Sequence, residues 1–425
     1  MLDIQFIRQH EQELQEAAKL KGINISIAKL LEKDQQRRHF LQQADALRAK
    51  RNEKAQRITT LLSNGQQGEA EQLKREVRLL NQQIKQDDSK RRDLESEYHQ
   101  LMLQVPNMMS PDTPKGESDQ DNVELRKVGI VPSFSYVPKD HMTLGENLGL
   151  IDVPRGVKVA GSRSFFLKGF GFHLQRAVQQ IAIDVLMKKG FTFLDVPTIV
   201  NEESLYHTGF FPDGREQTYS IEKEEKHLIG TAEIPLVSYY SGEIIDVAQP
   251  IQLAAVSNCY RKEAGSAGRD VHGLYRVHQF TKVEQVILCE ADVETSNRLH
   301  EELTSNAEEI LQLLELPYRV VAVCSGDMGQ KNYKQYDIET WMPSRQAYGE
   351  THSSSNVLDF QARRSNLRYK DKNGEVKYCF TLNNTGISSP RILIPLLENH
   401  QQEDGSIYIP KALRRYMNDM EFLLP

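Results

Sequence analysis

Charged and aromatic residues recur between positions 251 and 289 with a spacing that a strand would gather on one face. In the segment 275–289, one parity holds Arg276, His278, Phe280, Lys282 and Glu284, and the other holds Tyr275, Val277, Thr281, Val283 and Ile287. Period two then places an arginine, an aromatic ring and a carboxylate on the same side. The segment 251–261 alternates in the same way, Arg261 and Glu263 share a face at its end, and a glycine-bearing loop joins the two runs as in an antiparallel pair. A face with two arginines, a phenylalanine and two glutamates is not a dry core, because isolated buried charges cost too much. It meets solvent or a polar ligand with phosphates for Arg261 and Arg276, a flat ring for Phe280, and an amine or hydroxyl for a glutamate. ATP with an amino acid supplies all of these; a network of mutual salt bridges is the alternative reading.

These strands need a scaffold. Leu174, Ala177, Val178, Ile181, Ala182, Val185 and Leu186 form one apolar stripe of a helix ending at Gly190. The run 191–197, FTFLDVP, reads as a strand stopped by Pro197. Upstream, residues 1–25 read as a short helix ending near Gly22. Residues 27–62 form a long helical pattern with Leu41, Ala44, Ala55, Ile58 and Leu62 in three–four register, interrupted by Arg48 and Arg51. After the polar turn 63–68, a second helix carries Leu73, Val77, Leu80, Ile84, Leu94, Tyr98 and Leu101, a heptad seam. The pair predicts an antiparallel coiled-coil hairpin over about 27–104, roughly 50 Å long at 1.5 Å per residue, too narrow for a core of its own. Pro106, Pro111, Pro114, Pro132 and Pro138 mark 106–140 as a linker. The expected organisation is an N-terminal domain over 1–105, that linker, and an α+β domain over 141–425.

The 425 residues fit two or three domains, and 39% hydrophobic with 26% charged residues is ordinary for a soluble protein. No apolar run is long enough for a membrane span, and the N-terminus MLDIQFIRQHEQELQE lacks the basic and apolar regions of a signal peptide. The cytoplasm is the expected location. Cys259, Cys289, Cys324 and Cys379 show no CxxC or His/Cys spacing, so reduced thiols and no zinc site are expected. The net charge of −6 hides an asymmetry: Ser26–Val105 carries 16 Lys+Arg against 12 Asp+Glu, so a basic segment sits on an acidic remainder. That distribution suits a separate polyanion-binding module, with Arg37, Arg38, Lys54, Arg57, Lys74, Arg75 and Arg78 as candidate contacts; a structural or dimerising coiled coil with a solvated face is the alternative.

Several ordered segments together resemble a known family. CYRKEAGSAGRDVHGLYRVHQFTKVE (259–284) is similar to motif 2 of class II aminoacyl-tRNA synthetases in its seryl form. GTAEIPL (230–236) resembles that family's serine-binding TxE run. YGETHSSSNVLDFQARR (348–364) and TLNNTGISSPRILIPLLENHQ (381–401) resemble its ATP-binding segment and motif 3, and the run from Gly190 to Pro197 resembles motif 1, the dimer-forming element. The N-terminal hairpin resembles the tRNA-binding arm of bacterial-type seryl-tRNA synthetases. The resemblance covers nearly the whole chain. It implies an antiparallel sheet flanked by helices, serine activation with ATP and Mg²⁺, transfer to tRNA(Ser) and also tRNA(Sec), and a homodimer.

It also implies roles. Arg261 would hold the α-phosphate and the serine carboxylate, Glu263 the adenine amino group, and Phe280 would stack on adenine. Arg391 would pack on the other face or reach the γ-phosphate, and Arg276 would meet the triphosphate tail. Arg261, Glu263 and Arg391 are thus the catalytic candidates, and Lys262, Val277, Thr351 and His352 complete the nucleotide-contacting set. Glu350 and Ser353 would coordinate Mg²⁺. Thr231, Ala232, Glu233 and Glu284 would bind serine, with Thr381, Asn383 and Thr385 closing the pocket.

Three positions depart from the pattern: His352 stands where Ser or Thr is usual, Thr385 where Ser is usual, and Pro390 where Gly is usual. Pro390 is compatible with a first helical position capped by Ser388 or Ser389. Two other readings compete: an amino acid–carrier protein ligase, whose relatives lack the long arm, and a non-catalytic synthetase descendant, against which Arg261, Glu350 and Arg391 stand.

Overall fold

The computed structural model describes residues 1–265 and 273–425, which form two compact units, Leu2–Pro106 and Asn107–Pro425.

In the first unit, the segment expected as one short helix is two: α1 (Ile4–Gln9) and α2 (Glu11–Leu20), separated at His10, whose backbone leaves the helical region. The hydroxyl of Ser26 then accepts a hydrogen bond from Lys29 N at 3.2 Å and starts α3 (Ile27–Ser63). Gly65, at φ 80°, turns the chain into α4 (Gln67–Gln104). All seven apolar seam residues expected on α4, from Leu73 to Leu101, are buried or half-buried. The seam on α3 differs from expectation. Leu41, Ala55 and Leu62 are exposed, whereas Asp34 is fully buried and Arg37, Arg48, Arg51 and Lys54 are half-buried. Charged residues hold this seam because each finds a partner: Lys33 bridges to Glu97 at 2.6 Å, Arg48 to Asp88 at 3.0 Å and Lys54 to Glu76 at 2.5 Å. Buried Asp34 receives Arg8 at 2.6 Å and Arg38 at 3.2 Å. Several basic side chains are thereby engaged within the hairpin, Lys74 with Glu71 among them, while Arg57, Arg75 and Arg78 remain exposed.

The second unit is built on eight strands: β1 (Val123–Val128), β2 (Thr192–Phe193), β3 (Ile251–Tyr260), β4 (Gln279–Cys289), β5 (Tyr318–Ala322), β6 (Lys334–Met342), β7 (Ala347–Asn356) and β8 (Phe380–Ser389). Their order across the sheet is β1-β5-β6-β7-β8-β4-β3-β2, and every pairing is antiparallel except β2 with β3. One face packs on two helices, α5 (Phe170–Lys188) and α6 (Val293–Leu313), through Val178, Ile181, Leu303 and Ile310 against Val283, Ile287 and Leu382. The other face is covered at one end by the short helices Glu233–Ser238 and Phe360–Ser365, with Leu236, Ala362, Val286 and Leu288 in contact, and is open at the other.

Three expectations change here. The segment 106–140 is not a plain linker, because Val123–Val128 pairs with Tyr318–Ala322 and supplies the sheet edge. The 191–197 strand shrinks to Thr192–Phe193, a parallel edge partner of β3. The strand expected from 275 begins at Gln279, and β3 ends at Tyr260, so Arg261, Glu263, Arg276 and His278 sit on the chain segments that leave the sheet. Glu263 has φ 49°, which no strand residue adopts.

Candidate active site

The strand-leaving residues still converge. The Arg261 guanidinium lies over the Phe280 ring at 5.2 Å, and its Nε donates to Gly230 O at 3.2 Å. His278 Nδ1 meets Arg261 O at 3.1 Å, and Arg261 N donates to His278 O at 3.0 Å, so the two departing segments are tied together. Arg276 pairs with the buried Glu263 carboxylate at 3.4 Å, and Arg163, which sequence reasoning did not single out, donates to Glu263 O at 2.6 Å. Arg391 Nε donates to Tyr275 O and one terminal nitrogen to Glu350 O, both at 3.2 Å, and the guanidinium lies 4.6 Å over the Tyr275 ring. Arg261, Glu263, Val277, Phe280, Pro390 and Arg391 together line one narrow cleft. Lys262 turns away from it, toward the Tyr219 ring at 5.9 Å. Residues 266–272 of the motif 2-like run lie outside the described residues.

Two strand irregularities assemble the rest. Glu350 and Ser353 are three apart, and a regular strand would point them to opposite faces. In β7, Ser353 faces Asp337 and His352 faces Ile338, yet Glu350 faces Glu339, so Thr351 is an extra residue. This bulge brings Glu350 and Ser353 onto one face beside Asp337. Burial first, then the charge of Glu350, push the Asp337 carboxyl up to about 8. Carboxylate and hydroxyl oxygens gathered on one face are the donors a hard divalent cation takes. Among the described residues no three His, Cys, Asp or Glu side chains form a metal site by themselves; Mg²⁺ characteristically takes one or two carboxylates plus substrate phosphates, so the oxygens present fit it.

The same bulge corrects two expected contacts. Thr351 and His352 turn their side chains inward, Thr351 Oγ1 bonding Thr340 Oγ1 at 2.7 Å and His352 Nδ1 at 2.9 Å. Burial drops the His352 imidazole to about 3, so it is neutral and interior. Any nucleotide contact at these positions is left to the backbone. Pro390 is likewise not a first helical position. β8 runs to Ser389, the next helix begins at Leu393, and neither Ser388 nor Ser389 caps it; Pro390 instead opens the turn in which Leu393 N bonds Pro390 O at 2.9 Å.

The second irregularity is at Gly386 in β8. Thr385 faces Glu284 and Ile387 faces Val283, which leaves Gly386 as the extra residue. A side chain there would start 3.2 Å from Val283 O. Thr381, Asn383, Thr385 and Ser388 then all share the face that carries Glu284, Lys282 and Phe280.

Next to the cleft lies a buried cluster of polar side chains. Thr231 Oγ1 donates to Glu284 Oε2 at 3.3 Å and accepts from Glu233 N at 3.2 Å. Glu284 forms an ion pair with buried Lys282, and burial raises its carboxyl above the usual range. Asn383 Nδ2 donates to Glu233 Oε1 at 2.9 Å, Gln361 Nε2 to the same oxygen at 2.6 Å, and Thr381 Oγ1 to Gln361 Oε1 at 2.6 Å. Lys331 also pairs with Glu233. Ala232 and Thr385 are buried in the same wall. Every serine-pocket residue expected from the sequence is thus in one place, joined at Gly230 and Arg261 to the cleft. Gln361 and Lys331 were missed as members. Gln361 lies inside a motif-bearing run, FQARR, but Lys331 lies in a loop with no motif signal.

Comparison with known proteins agrees with these geometries. Residues 1–109 match the family model described as the seryl-tRNA synthetase N-terminal domain, and residues 217–400 match the class II tRNA synthetase core domain for G, H, P, S and T. The serine–tRNA ligase of Deinococcus radiodurans is 44% identical, covering 100% of this chain and 99% of that protein. That of Borrelia garinii subsp. bavariensis is 40% identical with 98% of each covered. Among solved structures, seryl-tRNA synthetase from Pyrococcus horikoshii complexed with ATP superposes with TM-score 0.92 at 35% identity, covering 100% of both chains. The cytoplasmic serine–tRNA ligase of Naegleria fowleri in complex with AMP gives 0.86 at 26% identity, covering 100% of this chain and 99% of that one.

Proposed function

The chain belongs to the seryl-tRNA synthetases of class II, and from that premise we propose how it works as a serine–tRNA ligase: it activates L-serine with ATP and passes the seryl group to the 3′-terminal adenosine of tRNA(Ser). The observation that carries the reading is the joining of two sites. An arginine–aromatic cleft (Arg261, Phe280, Arg391) adjoins a buried polar cluster that holds Glu233 and Glu284, and the Arg261–Gly230 hydrogen bond links them. Adenine stacks on Phe280 with its amino group at Glu263. Serine enters with its ammonium toward Glu233 and its hydroxyl toward Glu284 and the Thr381 wall, which leaves its carboxylate at Arg261.

The serine carboxylate oxygen then attacks the α-phosphorus, the bond to the β-phosphate oxygen breaks, and pyrophosphate leaves. A ribose hydroxyl next attacks the seryl carbonyl and AMP leaves. Both steps accumulate charge on oxygens, which fixed arginines stabilise without reorganising. Mg²⁺ held at Glu350 and Ser353, with Asp337 beside them, would neutralise phosphate charge. Neither step needs a nucleophile from the protein. We extend the proposal to tRNA(Sec), to a cytoplasmic location and to a homodimer; no described helix is long and apolar enough to cross a membrane.

Pyrophosphate exchange tests the reading. Serine supports exchange, and alanine is at least ~10⁴-fold weaker, because without the hydroxyl the polar groups of the pocket are left unpaired. Alanine within tenfold of serine contradicts the pocket assignment. Exchange without charging of tRNA(Ser) favours the carrier-protein ligase reading instead.

A further inference from the structure

Glu233, the carboxylate to which the proposed function assigns the serine ammonium, already has an ammonium. Its Oε1 accepts from Gln361 at 2.6 Å, from Asn383 at 2.9 Å and from Lys331. The Glu233 side chain is 7% exposed and that of Lys331 19%, so the pair is largely screened from water. Lys331 does not arrive by chance from a loose surface loop. Asn107 Nδ2 donates to Lys331 O at 3.0 Å and to Val357 O at 2.9 Å, and Asn107 N donates to Gln330 O at 2.9 Å. These bonds pin the backbone on both sides of the side chain's root.

Each pocket carboxylate already has a lysine: Glu233 pairs with Lys331 and Glu284 with Lys282. The two lysines are not equivalent. Lys282 lies on the same strand face as Glu284, two residues away, whereas Lys331 comes from a different loop onto the carboxylate that must meet the substrate amine. An incoming serine ammonium therefore meets a carboxylate whose field is reduced by a cation already in place.

We infer that Lys331 is a specificity-determining residue of the amino-acid pocket: an ammonium of the chain's own that occupies Glu233 in the empty site and competes with the α-ammonium of serine. The inference rests on the proposed function, which makes Glu233 the amine-recognising group. Lys331 weakens serine relative to the same pocket without it, and it acts only on ligands that carry an ammonium.

The experiment uses the full-length protein with K331M, which keeps the chain length and removes the charge, K331Q as a second neutral variant, and K331R, which keeps the charge. Steady-state pyrophosphate exchange reads KM for serine and for ATP, and L-glycerate, which has the hydroxyl and carboxylate without the amine, serves as a competitive inhibitor. K331M and K331Q are expected to lower the serine KM by about 3- to 10-fold, the range set by loss of one partly screened ion pair. Their ATP KM stays within about twofold and their L-glycerate inhibition does not tighten, while K331R stays near the parent. A variant that misfolds declares itself by lost ATP affinity, and the other neutral variant then decides. An unchanged serine KM overturns the inference, as does a raised KM with a reduced kcat, because Lys331 would then only orient Glu233. An equal gain for L-glycerate also overturns it, since the effect would be pocket volume and not charge. If the parent protein shows no serine-dependent exchange at all, it is the proposed function that fails.

Discussion

Arg391 illustrates how a single residue is prepared for charge. Its guanidinium is held by two main-chain carbonyls, Tyr275 O and Glu350 O, by the Tyr275 ring, and by the Glu350 carboxylate at 3.7 Å. Those bonds fix its direction before any nucleotide is bound, and a preorganised cation stabilises a developing oxyanion without first moving solvent. R391A is expected to reduce serine-dependent pyrophosphate exchange by ~10²-fold or more, the usual cost of one such donor, while leaving tRNA affinity at the parent value in a filter-binding titration. A near-parent exchange rate would remove Arg391 from the nucleotide site. R391K is not a rescue here, because a lysine cannot satisfy two carbonyls and stack on Tyr275 in one geometry.

At the level of elements, the long hairpin of α3 and α4 carries a seam that is part apolar and part ionic. Ala44, Leu61, Ile84 and Leu94 bury beside the Arg48–Asp88 and Lys54–Glu76 pairs. Such pairs contribute only about 0.2–1 kcal/mol each where they are exposed, so their value is to fix register between two helices with few large apolar residues. They also subtract from the charge available to a polyanion, leaving exposed Arg57, Arg75 and Arg78 as the better candidates for phosphate contacts. Replacing residues 27–104 by a short linker is expected to preserve serine-dependent exchange, because every proposed adenylation residue lies within Asn107–Pro425. The same variant should lose most tRNA charging, and each lost phosphate contact should flatten the log–log salt dependence of tRNA binding by roughly one unit. Full charging by the shortened protein would make the hairpin structural; loss of exchange would show that it acts on the active site.

For the whole molecule, the proposed homodimer has a surface to explain. Val157, Val159, Phe166, Phe170 and Phe172 are each at least 42% exposed within one short stretch ahead of and into α5. A scattered exposed apolar residue needs no explanation, but five within a short stretch of chain, with Val159, Phe166 and Phe172 lining one wide pocket, are a candidate contact surface for a second copy. Light scattering at micromolar concentration is expected to return twice the chain mass, and F166D to shift it toward the chain mass. A monomer for the parent protein would contradict the two-fold assembly.

Periodicity made the hairpin and the active-site strands visible in the sequence, because a heptad or an alternating run is written in residues that are neighbours along the chain. The family motifs likewise singled out Arg261, Phe280, Glu233 and Glu284, which the fold brings close together, without a structure. What the sequence could not determine was which residues of a strand share a face once register slips. Glu350 and Ser353 meet only because Thr351 is an extra residue against β6, and Thr385 and Ser388 align only because Gly386 is one against β4. A bulge is a choice made between two strands, and neither strand encodes it alone. The same holds for the inward turn of His352 and for Lys331 on Glu233, a contact across 98 residues of chain. No local pattern specifies such a contact; the packed position of the Asn107-pinned loop against the sheet does, and that position exists only after the tertiary structure has formed.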